Sequence, residues 1–172
     1  MYRKEKSSFL LVLGVILIIV SLITPTVLIV KNIQFNQNCG GYLKQAADAN
    51  TVEIAHDRIC KALGYIEKNN LTSGYTSILW KTEDENVGFW YENIKACKNE
   101  LELCKDASQL EKTNVLMKVR ETLTDDGGQD GTILTVPDGI SRYPYNTRWC
   151  FLMLLGLVFC FGGSFMIYIY ND

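Results

Sequence analysis

A chain of 172 residues with 17 Lys and Arg against 19 Asp and Glu has a net charge of −2, without the basic surplus that nucleic-acid binding requires. The mean hydropathy of +0.04 averages two very apolar ends with a polar middle, so the whole-chain value describes neither. Between those ends, residues 31–148 have the size of one small domain, and they carry 14 Lys and Arg against 17 Asp and Glu, an ordinary solvated balance.

Residues 1–8 include Arg3, Lys4 and Lys6 and precede a long apolar run. That run, residues 9–30, holds no ionisable side chain and is long enough to cross a hydrocarbon core of about 30 Å as a helix. It exceeds a signal-peptide core in length, and no A-x-A-like pair follows it, so an uncleaved span is expected. Within it Gly14 and Ser21 share a face, and Pro25 predicts a tolerated kink.

Beyond a polar stretch, Cys39-Gly40-Gly41 reads as a turn and residues 42–68 as helix. Val52, Ala55, Ile59, Ala62 and Ile66 form one apolar stripe. Asn50 with Glu53 three residues later predicts a break and a cap inside that helix, and Asn69-Asn70 its end. Residues 71–81 are turn-like and then β-prone. Thr82 and Glu85 form a capping box. From there Val87, Trp90, Ile94, Cys97, Leu101 and Cys104 repeat at alternating three and four, the strongest helical pattern between the spans.

A second capping box, Ser108 with Glu111, opens a helix that starts at Gln109 and ends at Thr124. Residues 125–131 (DDGGQDG) read as a solvated loop; a calcium site there would lack the alternating Asp spacing and terminal Glu of an EF-hand. Residues 132–136 predict a short strand, with residues 75–80 as its partner. Tyr143, Tyr145 and Trp149 then stand where an interfacial aromatic belt belongs. Residues 149–170 (WCFLMLLGLVFCFGGSFMIYIY) form a second span, with residues 171–172 after it.

The expected architecture is mainly α, a hairpin of two transmembrane helices flanking an extracytoplasmic helical domain with a short β ribbon. The Lys and Arg at the N-terminus place both termini in the cytoplasm and residues 31–148 outside, in a bacterial inner membrane or a eukaryotic cell or secretory membrane. Four cysteines between the spans, an even number, point the same way: an oxidising compartment would staple Cys39 to Cys104 and Cys60 to Cys97, one of three possible connectivities. The spacing contains no Cys-x-x-Cys or His partner for zinc.

No motif names a reaction. His56 stands alone beside Asp57, without a Gly-x-Ser-x-Gly, Walker loop or HExxH. No catalytic residue, cofactor or metal is therefore expected. Asn70-Leu71-Thr72 is a glycosylation sequon, meaningful in a eukaryotic secretory setting. Phe89, Trp90 and Tyr91 gather three aromatics at a helix start, either as core or as a partner or ligand patch. In the second span Gly156, Cys160 and Ser164 recur at i, i+4, i+8 with Gly163 beside them, a small-residue stripe that lets another helix approach closely, either the chain's own first span or another subunit. The expected role is a non-catalytic accessory or structural subunit, docking onto other integral membrane proteins as a homo- or hetero-oligomer. The second expectation is an extracytoplasmic ligand-binding or sensory module that signals through a partner.

Overall fold

The computed structural model describes residues 2–127 and 131–171; Met1, Asp172 and, inside the acidic segment, Gly128, Gln129 and Asp130 lie outside the described residues. The chain is mainly helical and divides into two units, residues 1–31 with 145–172, and residues 32–144.

The first unit is built from α1 (Tyr2–Phe35), up to Lys31, and from α6 (Asn146–Asn171). Two helical runs, Ser8–Ala47 and Asn146–Tyr170, are long and apolar enough to cross a membrane. Phe9, Phe151, Val158, Phe161 and Phe165 are all exposed, an arrangement suited to lipid and costly in water. Pro25 does not end α1. Its missing N–H leaves the Ser21 carbonyl without its helical donor. Nearby hydroxyls bond back into the helix: Ser21 Oγ donates to the Ile18 carbonyl at 2.7 Å and Thr26 Oγ1 to that of Leu22 at 2.8 Å. Towards the ends nearest residues 31 and 145, Lys31 Nζ lies 5.6 Å from the Trp149 ring centre and the Arg148 guanidinium 5.0 Å from that of Tyr145.

The second unit begins with a change of helix type. Asn36–Gly40 is a π-helix, and the Gly41 N–H donates to the Asn36 carbonyl five residues back before α2 (Gly41–Ala47) begins. The expected turn at Cys39-Gly40-Gly41 is thus a helix. The glycines serve close approach instead of chain reversal, since a methyl on Gly41 would lie 2.9 Å from the Asn36 oxygen.

Helix α3 (Val52–Lys68) buries Val52, Ala55, Ile59, Ala62, Leu63 and Ile66. Its cap is Thr51, whose Oγ1 accepts from the Ile54 N–H at 3.3 Å, one residue beyond the expected Asn50. Asn69 caps its C-terminus and Asn70 turns away with φ of 56°, as the sequence predicts. Helix α4 (Val87–Leu103) follows a 3₁₀ turn, Glu83–Glu85. The Thr82 hydroxyl donates to Glu85 Oε2 at 2.7 Å, yet α4 itself is capped by Asn86, whose Oδ1 accepts from the Phe89 N–H at 3.1 Å. The stripe Val87, Trp90, Ile94, Cys97 and Leu101 is buried as its spacing predicts. At α5 (Gln109–Leu123) both halves of the Ser108–Glu111 capping box are formed.

The ribbon is real, but its pairing differs. Strand β1 (Thr124–Asp126) runs antiparallel to β2 (Thr132–Leu134), with Thr124 opposite Leu134. Residues 75–80 form no strand; Tyr75 alone bridges to Asn86. A hairpin between near neighbours closes a short loop at little entropic cost, and this favours β1 over a partner some fifty residues away. Asp125 and Asp126 therefore lie in a strand where a loop is expected. The core of the second unit comes from α2 to α5, with Leu43, Ile59, Ile66, Ile94, Leu101 and Leu123 fully enclosed. Arg120 of α5 closes the end of α2, its Nε donating to the Ala47 carbonyl at 3.1 Å and its Nη2 lying 3.4 Å from Asp48 Oδ1.

Candidate functional site

The cysteines are not stapled. All six are free thiols, with Cys39 and Cys97 buried and Cys60 and Cys104 half-exposed. The nested pairing of Cys39 with Cys104 and Cys60 with Cys97 is therefore not formed, because each side chain faces a different neighbourhood. Cys39 lies in the core near Tyr65 of α3, Cys97 near Thr122 of α5, and Cys60 against the His56 ring on its own helix. Burial, opposed by contact with Thr122, pushes the Cys97 thiol above its ordinary range, which keeps it protonated and unreactive at neutral pH. Cys60 Sγ is 3.8 Å from Nδ1 and 3.7 Å from Nε2 of His56. Near-equal distances place the sulfur off the lone-pair direction of both nitrogens, a poor geometry for a base to take its proton.

In the first unit the small residues form a seam between α1 and α6. A methyl on Gly163 would lie 2.6 Å from the Gly14 carbonyl oxygen, and one on Gly14 would lie 2.8 Å from that of Gly163. Seven residues along, a methyl on Gly156 would stand 3.4 Å from the Ser21 oxygen. The paired residues run in opposite directions, as an antiparallel hairpin requires. The carbonyl that Pro25 leaves without a donor is thus on the side of α1 that faces Gly156. Of the four residues in the sequence stripe, Gly163 is buried, Gly156 and Cys160 are half-buried, and Ser164 faces outward. The seam follows i, i+7 spacing, not the i, i+4, i+8 spacing that links Gly156 to Ser164.

In the second unit a cleft of about 440 Å³ opens between the start of α4 and the ribbon with the segment after it. Phe89 and Trp90 line it, as do Ile94, Leu123, Ile133, Leu134, Val136 and Pro137. Trp90 is held by a hydrogen bond from Nε1 to the Thr135 carbonyl at 3.1 Å, whereas Phe89 is 64% exposed and free to meet a ligand. Tyr91, the third aromatic, turns to the other side of α4. Its hydroxyl donates to Glu67 Oε1 at 2.9 Å, and that bond, formed by the phenol's neutral state, raises its pKa. Four carboxylates, Glu83, Asp84, Asp125 and Asp138, share the cleft lining with no Lys, Arg or His. Sequence singled out one wall of this cleft, Phe89–Trp90; the other wall, Ile133 to Asp138, comes from pairing it with an unexpected partner strand. Among the described residues no group of three or more His, Cys, Asp or Glu is arranged to hold a metal ion.

A different surface was missed altogether. Ile78, Leu79 and Trp80, expected in a strand, sit in an irregular loop with Leu79 and Trp80 almost fully exposed. The signal available in the sequence was the absence of alternation across those three consecutive apolar residues.

No family model matches this chain, and neither a curated protein nor a solved structure shows a significant match to it.

Proposed function

We propose that this protein is a non-catalytic accessory subunit of a membrane assembly, docking through residues 32–144 and through the outward face of its second span. The observation that carries this reading is the Ile78-Leu79-Trp80 loop. Three adjacent large apolar side chains exposed on a water-facing unit suit a protein partner, and an exposed Trp is a frequent anchor of such interfaces. Because Gly156 and Gly163 meet the chain's own α1, a partner helix would be received on the side bearing Ser164 and Phe161. Both termini are cytoplasmic in this reading and residues 31–148 are extracytoplasmic, an orientation supported by Arg3, Lys4 and Lys6. The even cysteine count no longer adds support, since the thiols are free.

Blue-native electrophoresis of mild-detergent extracts tests this reading. The wild-type chain should migrate in a complex, and Leu79→Ser with Trp80→Ser should release it, with Ser164→Leu weakening it further. Migration of the wild-type chain as a free monomer would refute the docking role.

The cleft between α4 and the ribbon favours a second reading, an extracytoplasmic ligand-binding module signalling through a partner. Its volume of about 440 Å³ and its mixed lining, apolar side chains beside carboxylates, are what support that reading.

A further inference from the structure

Resting on the ligand-binding reading, we infer that the cleft between α4 and the β1–β2 ribbon is a site for an organic cation, an ammonium or guanidinium group carried on an apolar or aromatic body. The lining is divided by chemistry. Its floor is hydrophobic and includes Trp90 and Ile133, with the exposed Phe89 ring at the side; its polar groups include four carboxylates and no basic side chain. Among the described residues, the ion pairs join other side chains and include none of the four carboxylates. Glu83 and Asp84 come from the turn before α4 and gain from the positive end of that helix. Asp125 on β1 and Asp138 in the following turn come from the opposite side and have no such partner.

A cation placed among carboxylates that come from two sides of one cleft is attracted to both. Charge complementarity therefore selects the sign of the ligand, and the aromatic and aliphatic floor selects its body. The exposed Phe89 ring adds a face that favours a cation. A metal ion does not fit this description, because a hard cation wants oxygen ligands on all sides and the floor supplies carbon. The volume of about 440 Å³ lies in the range of small-molecule sites.

The test is calorimetric titration of the full chain in neutral maltoside micelles with matched probes. Phenethylammonium, 2-phenylethanol and 3-phenylpropionate share an aromatic body and differ in charge. N-acetyl-phenylalanyl-arginine amide presents the cation as a peptide side chain. Phenethylammonium or the peptide should bind about tenfold more tightly than the alcohol, and the carboxylate more weakly than either. The double variant Asp125→Asn with Asp138→Asn should erase that preference, whereas Glu121→Gln, an equally exposed acid outside the cleft, should leave it intact. Tighter binding of the free amine assigns the site to a small molecule, and tighter binding of the peptide assigns it to a Lys or Arg side chain; both support a cation site. Equal binding of alcohol and cation, or a preference that survives the double variant, would overturn the cation assignment while leaving a ligand site. Binding of no probe by a chain with native near-ultraviolet dichroism would remove the ligand-binding reading as well.

Discussion

At Gly14 and Gly163 two helices of the first unit touch backbone to backbone, whereas in the second unit Ile59, Ile94, Leu101 and Leu123 fill the space between helices with side chains. A lipid surround for α1 and α6, which their length and apolar surface suit, would explain the difference. In water each buried aliphatic gains free energy by leaving water, so the helices of the second unit use large residues and tolerate wider separation. Among lipid chains a leucine gains nothing by moving from lipid to protein, so association depends on close packing and on weak polar contacts that small residues permit. The large residues of the first unit accordingly point outward.

The comparison is broken most strongly in the second unit. Leu101→Ala removes a fully enclosed side chain and is expected to cost about 2–5 kcal/mol, seen as a lowered midpoint in thermal or urea unfolding followed by near-ultraviolet dichroism. The compact mobility of the α1–α6 hairpin in detergent gels should not change, because the two units owe their cohesion to different residues.

The converse experiment acts on the seam. Gly163→Val forces a branched side chain against the Gly14 carbonyl and is expected to cost about 1–3 kcal/mol of helix pairing, read as an open, slower-migrating hairpin with native dichroism in the second unit. Gly156→Ala should be close to silent, since its methyl would stand at ordinary contact distance from Ser21. If both substitutions behaved alike, the close approach at Gly14 would not be what joins these helices.

Ser108→Ala is smaller. It removes the α5 cap, at about 1 kcal/mol of stability to the second unit. The same cap sets a modest pH dependence. Hydrogen bonds from the Ser108 hydroxyl and N–H hold the Glu111 carboxyl below the usual carboxylate range. A lowered folded-state pKa means that the contribution is complete above the ordinary value of 4.5 and is lost as pH falls through the lowered one. In Ser108→Ala the acid limb of the stability curve should flatten, and an unchanged limb would remove Glu111 from the account.

Helices were the legible part of this sequence. The two membrane-length helices announce themselves by their apolar runs, the stripes at Val52–Ile66 and Val87–Leu101 by period, and α5 by its capping box, since each signal is local in the sequence. What escaped depends on long-range geometry. Asp125 and Asp126 have poor strand propensity, and only the partner strand makes them β1. The even cysteine count suggested bridges, but direction of the side chains decides pairing, and Cys39 and Cys97 point at different helices. Of the expected stripe, seven-residue spacing puts Gly156 and Gly163 on the face towards α1 and leaves Ser164 outside it, a phase that depends on the partner helix and not on the residue types.

The wide turn at Asn36–Gly40 bears on what the chain tolerates in length. A π segment holds one residue more than an α-helical turn of the same reach. Phe35, Cys39 and Leu43, spaced by four and four, are all buried, a column that a regular helix would let drift sideways. Loss of one residue here, Gln37 for example, would still leave a chain able to form unbroken helix. The π turn would become an α turn of the same reach, and Leu43, Ala46 and Ala47 after it would stay on the core. A single codon deleted at this point would thus be absorbed by the turn, whereas one deleted inside the regular helix α3 would rotate the rest of its buried stripe by about 100° and act like several core substitutions made at once.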